Sequence, residues 1–155
     1  MDRLIGGRLA SGDDSGGEWL AGRLLALNPN DNHGARALIV CADLQHGRDA
    51  AALALCDRFA GDMLAEIAFG RVLALYRLGR EEEATDSLRG AVERHPPLAR
   101  ILTTKRAPRI NLDPSGYILG SDEEAAGYRK TMRDTWAETP GALEWLRRSA
   151  RKLSK

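Results

Sequence analysis

Two cysteines, six prolines and an aromatic content of 5% are all that this 155-residue chain holds of the residues that most sharply mark a fold. Cys41 and Cys56 each lie inside a helical pattern and form no CxxC pair, so the sequence encodes neither a disulfide framework nor a redox motif. A reduced, cytoplasmic setting is the expectation. The longest apolar run, Ala50 to Cys56, falls far short of the ~20 residues that a membrane helix needs. Met1 to Ala10 hold no apolar core of signal-peptide length. Charge of one sign is missing too: 23 Lys and Arg against 22 Asp and Glu leave a net +1, which supplies no global pull toward nucleic acid or an acidic membrane.

Catalytic and metal-binding patterns are also lacking. A metal site needs three or four ligands at workable spacing, and His33, Cys41, His46, Cys56 and His95 offer no HxxxH, HExxH or CxxC. The Gly-rich stretch 6–17 lacks the GK[ST] ending of a phosphate loop and the strand that should precede it. No GxSxG nucleophile motif occurs. Glu81, Glu82 and Glu83 occupy a first helical turn, where negative charge favours the helix dipole. The expectation is a non-enzymatic protein with no metal and no organic cofactor.

What is present is helix. The content is 43% apolar and 29% charged, that of a globular chain large enough to bury a core, and Ala, Leu, Arg and Glu dominate. Residues 1–17, rich in Gly, Ser and Asp, predict a frayed or disordered leader over 1–15. Ser15 with Glu18 spells a capping box before a first helix over 16–27. Residues 32–45 are apolar almost all round, with Arg36, Asp43 and Gln45 as interruptions, and 64–78 behave alike through Ile67, Phe69, Val72, Leu73, Leu75 and Tyr76. Such helices must be enclosed on most sides. Residues 81–94 carry one stripe, Ala84, Leu88, Ala91 and Val92, opposite a charged face, and predict an outer helix.

An echo organises these helices: His46-Gly47-Arg48 followed by Ala52 returns 32 residues on (46 to 78) as Leu78-Gly79-Arg80 followed by Ala84. With Leu88, Ala91 and Pro96, residues 63–96 resemble the tetratricopeptide repeat family, a helix-turn-helix unit of about 34 residues. The unit at 31–62 matches at Gly47 and Ala52, with Cys56 and Phe59 in place of Leu88 and Ala91. An earlier half-unit ends at Leu27-Asn28-Pro29. Over about residues 19–147 the chain is similar to a group of mostly uncharacterised bacterial tetratricopeptide-like proteins, some of them found beside a small SEC-C metal-binding motif. That likeness rests on Leu27-Asn28-Pro29-Asn30-Asp31-Asn32 with Gly34 and Arg36, on Leu119-Gly120-Ser121 with Glu124, Ala125 and Tyr128, and on Trp136 with Thr139-Pro140-Gly141-Ala142-Leu143-Glu144-Trp145-Leu146. The SEC-C cysteine cluster is missing from this sequence. The resemblance implies an all-α stack of helical hairpins and a role in protein interaction.

After Pro96 and Pro97 the period lapses over 97–120, where Pro108 and Pro114 forbid a long helix. This connector still carries Ile101, Leu102, Ile110, Leu112, Tyr117, Ile118 and Leu119, and a loop so apolar is expected to pack on the body. A second capping box, Ser121 with Glu124, opens a helix whose core face is Ala125, Tyr128, Met132 and Trp136. Thr139 is placed to cap a last helix with Pro140 in its first turn and a stripe of Leu143, Leu146, Ala150 and Leu153. The reading is one domain over 16–155: repeats to about 96, an irregular connector, and two capping helices over 121–153.

Candidate functional residues fall in two sets. Arg36, Asp43, Arg71 and Tyr76 lie on the enclosed helices, where they can offer hydrogen bonds to a peptide in the groove of a repeat stack. Alternatively, Arg36 and Arg71 pair with carboxylates such as Asp43 or Glu66 and hold neighbouring helices. The Lys and Asn pattern of chaperone-tail receptors in the family is absent. The second set is basic: Arg100, Lys105, Arg106 and Arg109 in the connector, and Arg147, Arg148, Arg151, Lys152 and Lys155 in the tail. Facing one way, they would hold an acidic partner or a nucleic-acid backbone. A protein or peptide partner in the groove is the leading expectation. Nucleic acid stands behind it, because Tyr128 and Trp136 belong to a core stripe and are not free to stack on bases.

Overall fold

The computed structural model describes residues 22, 23, 25–27 and 34–155. The leader, the Ser15 capping box, the Asn28–His33 joint and most of the first helix lie outside the described residues. Residues 22, 23 and 25–27 are helical, and Leu25 is buried. Seven helices follow: α1 (Ala35–Gln45), α2 (Asp49–Arg58), α3 (Ala65–Arg77), α4 (Glu81–Arg94), α5 (Leu98–Thr103), α6 (Asp122–Glu138) and α7 (Ala142–Leu153). Among the described residues there is no strand, so the fold is an all-α stack.

The sequence echo is a repeated turn. At the end of α1 the amide of Gly47 donates to Leu44 O and that of Arg48 to Asp43 O; at the end of α3 Gly79 donates to Tyr76 O and Arg80 to Leu75 O. This pair of bonds closes a helix on a left-handed residue, which glycine adopts without steric cost: φ is 74° at Gly47 and 77° at Gly79. Arg48 and Arg80 then act as N-caps, and their carbonyls take the amides of Ala52 and Ala84. Both alanines are fully buried where the two helices of each hairpin meet. The result is two like hairpins, α1–α2 and α3–α4, stacked through α1 against α3 and α2 against α3.

The enclosure expected for α1 and α3 is supplied by α6, which packs on both. The Tyr128 ring meets Phe69 at 6.0 Å, and the amide of Gln45 reaches Thr131 O at 3.3 Å. From the end of α3, Arg77 ties three other helices to its own. It donates to Leu44 O at 2.7 Å, Asp49 at 3.0 Å, Thr135 O at 3.2 Å and Thr139 Oγ1 at 2.8 Å. Trp136 is wholly buried and donates its indole N–H to the Tyr128 hydroxyl at 3.0 Å. The α4 stripe faces inward as expected, with Ala84, Leu88 and Ala91 buried.

Four local expectations need correction. The stretch after Pro97 is not wholly irregular, because α5 buries Leu98, Ala99, Ile101 and Leu102; proline at its N-cap starts a helix as readily as it ends one. Further along, Ile110 packs on the core, whereas Leu112, Tyr117, Ile118 and Leu119 stay exposed, Ile118 at 80%. At α6, Ser121 accepts from the Glu124 amide at 3.2 Å as a cap should. The Glu124 carboxylate, however, takes the Gly120 amide at 3.0 Å and the His95 imidazole, not the Ser121 amide. Finally, Thr139 does not cap α7, since its hydroxyl turns back to Thr135 O at 2.9 Å and Gly141 holds the N-cap.

Candidate functional site

The first candidate set is engaged inside the fold. Arg36 pairs with Asp62 at 2.5 Å in the link between the hairpins and lies 5.3 Å over the Phe59 ring. Arg71 on α3 pairs with Asp57 on α2 at 2.8 Å, and Asp43 accepts from Arg48 at 2.8 Å in the hairpin turn. The ion-pair alternative therefore describes both arginines, with partners other than Asp43 and Glu66. Tyr76 donates to Pro140 O at 3.0 Å and packs on Trp145 with ring centroids 5.0 Å apart and planes tilted by 39°, which joins α3 to α7. Helix α6 packs on both α1 and α3, across the face that the two helices share.

The second set is brought together in part. Connector and tail, distant in sequence, meet in a cleft of about 1150 Å³ between the α4–α5 corner and α7. Arg100 and Lys105 stand on one wall, and Arg147, Arg151, Lys152 and Lys155 on the other. Glu144 is the one carboxylate in the lining, against those six cations. Arg147 holds Glu144 in a two-pronged hydrogen bond at 2.7 and 2.9 Å, which keeps that carboxyl below its ordinary pKa. Among the described residues no ion pair engages Arg100, Lys105, Arg151, Lys152 or Lys155. Arg106, Arg109 and Arg148 are exposed outside the lining.

The geometry of the cleft follows from local structure. α7 lays Ala142, Trp145 and Leu146 on the core, and the helical period then turns Arg147, Arg151 and Lys152 outward along one flank. The opposite wall is held by Arg129, which donates from Nη1 to Ile101 O at 2.7 Å, Leu102 O at 3.1 Å and Thr104 O at 2.7 Å. That guanidinium satisfies the open carbonyls at the end of α5 and fixes the strand of chain that carries Lys105. Nothing local in the sequence marks Arg129 for this task; it sits one residue after a core tyrosine, and its partners lie on another helix.

A second polar cluster is buried at the junction of α3, α4 and α6. His95 and Glu124 are 1% and 2% exposed and bonded to each other, and Glu66 has a carboxylate oxygen enclosed without a partner. Burial raises the Glu66 pKa above its ordinary value, with the Glu124 charge adding to the shift and His95 opposing it. Both cysteines are buried free thiols, and burial pushes the Cys56 pKa up to about 12. A thiol so held is not a nucleophile near neutrality. Among the described residues no group of three His, Cys, Asp or Glu is placed to hold a metal ion, and no helix is long and apolar enough to cross a membrane.

Compared with known proteins, the chain matches no family model, no curated protein and no solved structure.

Proposed function

We propose that this protein is a non-enzymatic, tetratricopeptide-like interaction module that holds an acidic segment of a protein partner in the cleft between α7 and the α4–α5 corner. The observation that carries this reading is the segregation of charge. A chain of net +1 would give a random surface region a near-even mix of signs, yet the cleft gathers six cations and one carboxylate. Concentrating like charge on one concave surface costs some stability through self-repulsion and raises the local concentration of a ligand of opposite sign. The first candidate set offers less to such a ligand, because Arg36 and Arg71 are paired with Asp62 and Asp57.

Fluorescence anisotropy with a labelled oligoglutamate peptide tests the reading. Binding is expected at low salt and should weaken steadily as salt is added, because exposed charges are screened. The double variant Arg147→Glu, Arg151→Glu is expected to lower affinity by at least about tenfold, or 1.4 kcal/mol, while a thermal melt shows that it still folds, since both side chains are exposed and loss of the surface Arg147–Glu144 pair costs little. Equal binding by variant and native protein would refute the assignment. Tighter capture of oligothymidylate than of oligoglutamate would transfer the cleft to a nucleic-acid partner.

A further inference from the structure

We propose that the segment taken up by this cleft is amphipathic, with carboxylates for its cationic rim and apolar side chains for its floor. This rests on the acidic-partner reading and narrows it. The floor is formed by Val92, Pro96, Ala99, Leu143 and Ala150. Val92, Leu143 and Ala150 are half-buried, packing on the core from one side and lining the cleft with the other.

Polar groups that could serve a fully charged ligand on this floor are already engaged. The hydroxyl of Thr103 donates to Ala99 O at 2.7 Å and that of Thr104 to Arg100 O at 2.6 Å. The hydroxyl of Ser154 likewise donates to Ala150 O at 2.9 Å. A polyanion that bears charge at every position meets the rim cations but gains nothing at the apolar floor, where any carboxylate loses water without a hydroxyl donor to replace it. A segment with Glu or Asp on one side and Leu or Val on the other meets cations at the rim and buries apolar surface at the floor.

Two alternatives fit the cleft less well. The cleft is open along one side and its cations are solvent-exposed, whereas small-molecule sites bury most of their ligand's surface. Its lining holds no aromatic side chain on which a base could stack, and among the described residues the one aromatic among the exposed large apolar side chains, Tyr117, lies on the connector outside it.

The test compares two labelled peptides of equal length and equal charge on the full-length protein: one pairs glutamates with leucines so that the two types segregate to opposite sides, and the other pairs glutamates with serines. The leucine peptide is expected to bind at least about tenfold more tightly, and its advantage should survive added salt, because burial of apolar surface is not screened. Val92→Thr, which keeps the side-chain shape, and Ala150→Ser should each reduce that advantage while leaving the serine peptide's affinity unchanged; thermal melts confirm that both variants fold. Equal affinity for the two peptides, both lost in the Arg147→Glu, Arg151→Glu variant, would overturn the amphipathic proposal and leave the acidic-partner reading standing. Failure of both peptides to bind at low salt would remove both.

Discussion

Glu66 shows how a single residue is caught between opposing effects. It stands in the first turn of α3, where the helix dipole favours a carboxylate, yet one of its oxygens is enclosed without a hydrogen-bond partner. Burial wins, and the folded-state pKa rises above the ordinary 4.5. The sign of the pH dependence follows from linkage. Below about pH 4.5 the side chain is protonated both folded and unfolded and carries no penalty; as pH rises through the raised folded value, the unfolded chain gives up its proton more readily and stability is lost. Glu66→Gln removes the charge and keeps the shape. The variant should resist urea better than the native protein at pH 7, with the difference fading as the pH is brought below about 4.5. A lower urea midpoint at pH 7 would show that the carboxylate is satisfied by its own backbone amide, His95 and solvent in a way that burial does not reveal.

Between elements, the tightest constraint is the crossing of α1 and α3. A methyl group built on Gly70 would lie 2.7 Å from Cγ1 of Val40 and 3.5 Å from Cδ1 of Leu44. Val40 is wholly buried and β-branched, so it has no easy way to move. In an exposed helix Gly→Ala would stabilise by up to about 1 kcal/mol. Here overpacking should dominate, and Gly70→Ala is expected to cost about 1–3 kcal/mol by chemical denaturation. The double variant Val40→Ala, Gly70→Ala should recover part of that loss relative to Val40→Ala alone, because the deleted methyls vacate the space the new one needs. Additive losses in the double variant would place the strain elsewhere. This crossing also shows why an apolar-all-round pattern was informative and yet incomplete: it required α1 and α3 to be enclosed but did not say that a helix from the far end of the chain would do it.

For the whole molecule, α6 and α7 are structural parts of the body. They bury Tyr128, Met132, Thr135, Trp136, Ala142, Trp145 and Leu146, and Arg77 binds the end of α6 to both helices of the first hairpin. Deleting residues 121–155 would bare the α1–α3 face, and an open stack with an uncovered apolar face aggregates or loses fixed packing. The truncated chain is expected to be aggregated or molten by gel filtration and near-ultraviolet circular dichroism. Trp136→Ala, a milder probe of the same packing, should cost about 3–5 kcal/mol, a large share of the about 5–15 kcal/mol typical of a domain. A monomeric truncation that melts cooperatively near the full-length temperature would mean that α6 and α7 are a detachable element.

What the sequence alone determined is local. The helices over 35–45, 65–77 and 81–94, the inward stripe of α4 and the paired turns at Gly47 and Gly79 depend on dihedral preferences and hydrogen bonds that span five residues or fewer, and such information is written in neighbouring side chains. The ends of α6 and α7 were less legible, because Glu124 and Thr139 each had a competing partner from another helix that no spacing rule reveals. The roles of Arg36, Asp43, Arg71 and Tyr76 are not legible in the sequence for the same reason: whether a polar group on an enclosed helix meets a ligand or an ion-pair partner depends on which helix packs beside it. Only the tertiary structure laid α6 across α1 and α3, placed Arg129 over the end of α5, and brought the cations of 100–105 and 147–155 to one cleft. Those are contacts between segments far apart in the chain, chosen by the shapes of whole helices as they pack, and no single stretch of sequence contains them.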